Sequence, residues 1–184
     1  FNALGVDGTV YISFRSSLAA INPSGGLLWR HHLSAPLAFD PVISADGRLF
    51  LVDASGTLTA LDHRGELLWK ETLNGGPGGQ SLIDSRGVLI VPDGSGFLNA
   101  WLPWGRFLWR FRLAGRQTAA LAAETALYAS SDEGTIAKIS LQGTLLWTRR
   151  LENFALYLAE FSGGIAALDA SGRLSFLSRD GEML

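Results

Sequence analysis

The sequence predicts an all-β fold, a β-propeller of four-stranded antiparallel blades, and three observations carry that prediction. The first is a phrase that returns: "GGLLWR" at 25–30, "GELLWK" at 65–70, "GRFLWR" at 105–110 and "GTLLWT" at 143–148. Steps of 40, 40 and 38 residues are too long for the local periods of helix or strand, so the phrase marks a larger unit built several times over. The second is that each unit divides into apolar runs of strand length separated by Gly-bearing turns. The third is composition: 47% hydrophobic residues suffice for a continuous core, and 22 Gly with only 6 Pro and six Trp suit many short strands joined by tight turns.

Aligned on the Gly four residues before each Trp, the chain falls into units of 38–40 residues with reference glycines Gly25, Gly65, Gly105, Gly143 and Gly181. The unit boundaries are 1–35, 36–75, 76–115, 116–153 and 154–184, four complete units and a fifth that stops before its Trp. The second unit shows the plan: "PVISADG", "RLFLVDASG", "TLTALDHRG" and "ELLWKETL" are four strands in a meander, which is one propeller blade. No i, i+3, i+4 apolar pattern persists for the ten or so residues a helix needs. Solenoid coils have shorter repeats, roughly 20–30 residues.

The strand before the repeated phrase carries Ala20-Ile21-Asn22 and Ala60-Leu61-Asp62, so that "ALDHRGELLW" gives an A-x-D-x-x-G-x-x-x-W pattern. This resembles the pyrroloquinoline-quinone-like (PQQ-like) repeat, found in quinoprotein dehydrogenases and in outer-membrane assembly lipoproteins of the BamB type. The likeness spans nearly the whole chain, and departs from the pattern where Leu102, Ser140 and Ser178 replace the acidic residue. No Trp at a strand end is followed by Asp, as WD40 repeats require, and the double Gly of kelch repeats is missing. The resemblance implies that Trp29, Trp69, Trp109 and Trp147 lie on outer strands and dock each blade on the next.

Composition narrows the function. A net charge of −2 with 17% charged residues offers no field for nucleic acid or an anionic membrane. The absence of Cys removes disulfides, thiolate metal sites and a Cys nucleophile. No apolar run reaches 18 residues, so no membrane insertion is expected, and "FNALGVDG" lacks the basic start of a signal peptide. No Gly-x-Ser-x-Gly elbow occurs, and the Gly-rich "NGGPGGQ" at 74–80 lacks the Lys-Ser/Thr of a phosphate loop and reads as a long, mobile connection between blades.

No metal, cofactor or catalytic residue is expected. His31 and His32 are adjacent and point to opposite faces of a strand, and His63 stands apart. Asp53, Asp93, Asp132, Glu133 and Asp169 fall at equivalent turns on one rim, where carboxylates cap their own backbone without an ion. The resemblance raises a quinone cofactor over the propeller axis, beside a disulfide between adjacent cysteines and a calcium ion held by acidic and amide side chains. A chain without Cys and with too few blades for an eight-bladed ring argues against it. Two features point to a protein partner. Pro103 and Trp104 occupy a turn tip filled elsewhere by small or polar residues, and Arg110, Arg112, Arg149 and Arg150 form a basic rim opposite the acidic turns. The expected function is a non-enzymatic propeller scaffold for protein–protein interaction, extracytoplasmic by resemblance, with a cofactor-binding enzyme or a lectin-like sugar binder as alternatives. The fifth unit lacks most of its outer strand and the first begins on its inner strand. Closure into a five-bladed ring is therefore not encoded, and a larger ring of seven or eight blades, or completion by another copy, is expected.

Overall fold

The computed structural model describes residues 2–184, and every regular element in them is a strand. Five antiparallel sheets follow the chain in order. The first contains β1 (Asn2–Leu4), β2 (Val10–Phe14), β3 (Ser17–Ile21) and β4 (Leu27–His32), hydrogen-bonded in that sequence. The second contains β5 (Val42–Ile43), β6 (Leu49–Val52), β7 (Thr57–Leu61) and β8 (Leu67–Thr72). The third contains β9 (Leu82–Ile83), β10 (Leu89–Pro92), β11 (Phe97–Trp101) and β12 (Phe107–Arg112). The fourth contains β13 (Gln117–Ala122), β14 (Ala126–Ser131), β15 (Thr135–Ser140) and β16 (Leu145–Arg150). The fifth has three strands, β17 (Ala155–Phe161), β18 (Gly164–Asp169) and β19 (Leu174–Ser178). Beyond β19 the chain turns back to make a single bridge from Met183 to Leu177.

Side chains alternate across a strand, and here both faces are used. In β6, Leu49 and Leu51 join a cluster with Tyr11, Leu18 and Leu33 of the first sheet, while Phe50 and Val52 join Leu89, Val91 and Trp101 of the third. Two further clusters link the third sheet to the fourth and the fourth to the fifth. The core is thus four stacked layers between five sheets. Among the described residues no hydrophobic cluster joins the fifth sheet to the first, and the outer faces of those two sheets leave Ile12, Phe14, Tyr157 and Phe176 exposed. The middle strands show the difference: β6 and β10 are buried at all four positions, whereas in β2 Tyr11 alone is buried and Ile12 and Phe14 are exposed.

The repeated phrase has a local cause. In each four-stranded sheet the third and fourth strands slip register once, between Ala20 and Ile21, Ala60 and Leu61, Ala100 and Trp101, and Lys138 and Ile139. The residue before each Trp is left unpaired as a bulge, which bends the strand and re-aims the side chain that follows. The turn ahead of it is held by the side chain three residues before the reference Gly. Asp62 Oδ1 accepts N–H bonds from Arg64 and Glu66, and Asn22 Oδ1 does the same for Ser24 and Gly26. Ser140 and Ser178 reproduce the device with their hydroxyls, so these two departures from the repeat pattern keep its function. Leu102 cannot, and its turn relies on the Gly105 N–H donating to the Leu102 carbonyl.

The connection at 74–80 is not the mobile linker its glycines suggest. Pro77 bridges to Asp93, and a Cβ on Gly78 would lie 2.0 Å from the Asp93 carbonyl oxygen. These glycines permit close contact of two backbones.

Candidate functional site

The docking indoles set the frame. Trp29 donates Nε1–H to the His63 carbonyl at 3.0 Å, Trp69 to Pro103 at 2.8 Å, Trp109 to Leu141 at 3.1 Å and Trp147 to Arg179 at 2.9 Å. Each acceptor lies two residues before the reference Gly of the next unit, and the ring rests on that Gly. A Cβ on Gly65 would approach Trp29 to 2.5 Å, and one on Gly143 would approach Trp109 to 2.6 Å. The Gly and the Trp of the phrase therefore serve two different interfaces: the Gly receives the preceding blade, and the Trp reaches the following one. Each indole is half-buried.

The turn at 102–105 sits at one such junction. Its Pro103 carbonyl is held by Trp69, and Trp104 at the tip is 65% exposed. The equivalent tip residues are Ser24, Arg64, Gln142 and Asp180, all polar. The Trp104 indole thus projects outward from a backbone fixed by the preceding blade.

The basic rim is placed differently from the sequence reading. In an antiparallel meander the end of the fourth strand returns beside the start of the third, so Phe97 pairs with Arg112 and Thr135 with Arg150. The arginines stand beside the acidic turns, not opposite them. Arg110 pairs with Asp93 at 2.9 Å and lies 3.6 Å from the centroid of the Phe97 ring, which Arg112 also faces at 5.0 Å. Arg149 Nε donates to the Gly181 carbonyl. Arg150 lines the groove with Leu151, Glu152 and Arg173. The four arginines are thus spread over several local networks.

The acidic turns are likewise internal. Asp53, Asp93 and Asp169 are buried, each accepting N–H bonds from residues two and four further on. The Ser171 hydroxyl, ahead of the backbone donors at Arg173 and Ser171, holds the Asp169 carboxyl below the ordinary carboxylate range against the opposing effect of burial. In the fourth unit the equivalent position is Ser131, whose carbonyl receives the Gly134 N–H. Asp132 and Glu133 fall one and two residues later, and Asp132 accepts from the Arg116 N–H instead. The sequence reading missed this offset because the two acidic residues mimic the neighbouring "DASG" phrases.

Among the described residues no three His, Asp or Glu side chains gather with metal-binding geometry. The first strands of the third, fourth and fifth sheets approach one another. Together β1, β5, β9, β13 and β17 carry a single carboxylate, Glu160. A quinone held with calcium requires convergent acidic and amide ligands, so these residues do not fit that cofactor.

A family model described as outer membrane protein assembly factor BamB matches residues 14–91 and 56–184. The chain belongs to the BamB family of PQQ-like repeat propellers. BamB from Moraxella catarrhalis superposes with a TM-score of 0.84 at 21% identity, covering 100% of this chain and 59% of that one. The C-terminal WD40 domain of Sif2 gives 0.86 at 15% identity over 100% and 56%, and the computationally designed Ika8 protein 0.80 at 16% over 100% and 59%. The chain therefore spans less than two thirds of the solved propellers it matches, and at these identities the likeness is one of fold. No curated protein sequence matches the chain. The indole contacts and the turn chemistry recur from unit to unit within this chain. Trp104 and the residues around Asp93 are departures from this repeat.

Proposed function

We propose that this BamB-family propeller is a non-enzymatic scaffold that binds a protein partner through the face carrying Trp104. The observation that carries this reading is the 65% exposure of an indole at a turn whose carbonyl is fixed by the preceding blade. Exposed aromatic anchors on rigid backbones dominate protein-interface energetics, because little ordering entropy is lost when they are buried. Further support comes from a solved relative, BBS1N, which is described in complex with ARL6DN and superposes with a TM-score of 0.74 over 93% of this chain at 17% identity.

The proposal includes an extracytoplasmic setting, which the family's description as an outer membrane protein assembly factor supports. Among the described residues no helix is long and apolar enough to cross a membrane. The test is capture from a cell-envelope extract with the chain immobilised, comparing wild type with Trp104→Ala. A specific band that is retained by the wild type and lost from the variant is the expected result. Equal capture by both removes Trp104 from the interface, and dye-linked turnover of alcohols or sugars with added pyrroloquinoline quinone and calcium ends the scaffold reading altogether.

A further inference from the structure

A repeat protein contains its own control, since the residues that several units share at one position show what the blade needs there. At three neighbouring positions the third unit departs from the rest, and Arg110 completes the group. Asn99 stands where other units have Ala19, Thr59 and Ala137. Trp101 stands in place of Ile21, Leu61 and Ile139, and Phe107 in place of Leu27, Leu67 and Leu145. Arg110, shared only with Arg30 of the first unit, replaces Lys70 and Thr148. The other units pack with aliphatic and small residues at the first three places, so packing alone does not call for the three-residue change.

These side chains meet at the wall of a pocket of about 300 Å³ between the second and third sheets, faced across the gap by Glu71 and Asn74. That volume lies at the lower end of small-ligand sites, roughly 300–1,000 Å³. The polar groups are ordered from beneath. Asp93, 1% exposed, pairs with Arg110 and accepts the Asn99 Nδ2–H at 3.0 Å, which turns the Asn99 carbonyl oxygen away from the carboxylate. Trp101 and Phe107 meet edge to face with centroids 5.5 Å apart. Trp101 is 7% exposed, and that remainder belongs to the pocket wall. Four other indoles in the chain each donate to a carbonyl, yet among the described residues the Trp101 Nε1–H donates to no protein acceptor. The nitrogen is not enclosed: it is open at the pocket wall, where a molecule that enters can accept its hydrogen bond.

We infer that this pocket binds a neutral sugar ring, as a free monosaccharide or as the end of a glycan. Hydroxyl groups both donate and accept, so one ring can accept from the Trp101 Nε1–H and donate to the Asn99 carbonyl oxygen and the Glu71 carboxylate. Its C–H face can lie against Phe107, which is 49% exposed. Charge selects a neutral ligand: Arg110 is already paired with Asp93, so an anion would meet Glu71 with no free cation at the wall.

The indole N–H resonances of the six Trp give a direct measurement, with Trp101→Phe assigning the signal of Trp101. The probes are glucose, galactose, N-acetylglucosamine and their β1,4-linked dimers, titrated into the whole chain. A saturable shift of the Trp101 resonance, with a dissociation constant below about 10 mM, is expected for at least one probe. A tighter constant for the dimer assigns the site to a glycan end, and equal constants assign it to the free sugar. The double variant Asn99→Thr, Phe107→Leu installs the second unit's residues while sparing Trp101 and the Asp93–Arg110 pair. It should weaken binding at least tenfold with the denaturant midpoint retained. The inference fails if no probe gives a saturable Trp101 shift up to about 50 mM, or if the double variant binds as tightly as the wild type.

Discussion

Gly65 and Gly25 begin the same phrase, adopt the same left-handed backbone at φ 81° and 87°, and live in different surroundings. The indole of Trp29 lies on Gly65, whereas a Cβ on Gly25 would meet no atom within 4 Å. What differs within residues 2–184 is an indole from the unit before: Gly65 shows both the turn and the seat, and Gly25 shows the turn. The pair separates the conformational requirement of the hairpin from the packing requirement of the propeller.

The largest expected effect comes from emptying a seat from the indole side. Trp69→Ala removes a half-buried ring that touches Phe50 and the Gly105 turn, together with its bond to Pro103. It should cost about 3 kcal/mol in a denaturant titration. Trp104 offers the contrast on the same turn, where truncation of an exposed ring should change stability by no more than about 0.5 kcal/mol. Equal losses for the two would mean that the docking role is misassigned.

Blocking the seat from the glycine side comes next. Gly65→Ala combines a left-handed penalty of about 1–2 kcal/mol with displacement of the Trp29 ring, so the two together should exceed about 2 kcal/mol. Gly25→Ala carries the backbone penalty alone, about 1–2 kcal/mol. The informative quantity is the difference between these variants, and it should vanish when Trp29 is also replaced by Ala. A difference that survives in the Trp29→Ala background would refute the seat.

The period, the strands and the place of the four Trp on the fourth strands were legible in the sequence because each depends on spacing, and spacing survives translation into structure. The two roles of the glycine were not, since Gly25 and Gly65 are identical in sequence and differ only by a neighbour 36 residues upstream of Gly65. The basic rim was misplaced because a linear reading separates Asp93 from Arg110 by a turn and two strands that the meander folds back together. The partnerless Trp101 N–H was invisible for a similar reason: an indole's hydrogen-bond partner is a backbone carbonyl in another unit, which no residue type announces.

The smallest expected effect sharpens the comparison at the filled seat through pH. His31 Nδ1 lies 3.2 Å from the Gly65 carbonyl, which can only accept, so this nitrogen carries the proton in the neutral ring. Its Nε2 is enclosed without a partner. Burial, reinforced by the charges of Lys70 and His32, holds the His31 pKa below its usual 6.5, although the Gly65 carbonyl opposes the shift. The unfolded chain then takes up a proton before the folded chain does. Stability is full above the unfolded value and declines as pH falls from about 7 towards the folded pKa, below which the loss levels off. His31→Gln keeps a donor for the Gly65 carbonyl and has no proton to gain. The urea midpoint of the wild type should drop between pH 7.5 and 5.5 by more than that of the variant. A matching drop in both would assign the decline to other groups and leave the Gly65 seat indifferent to pH.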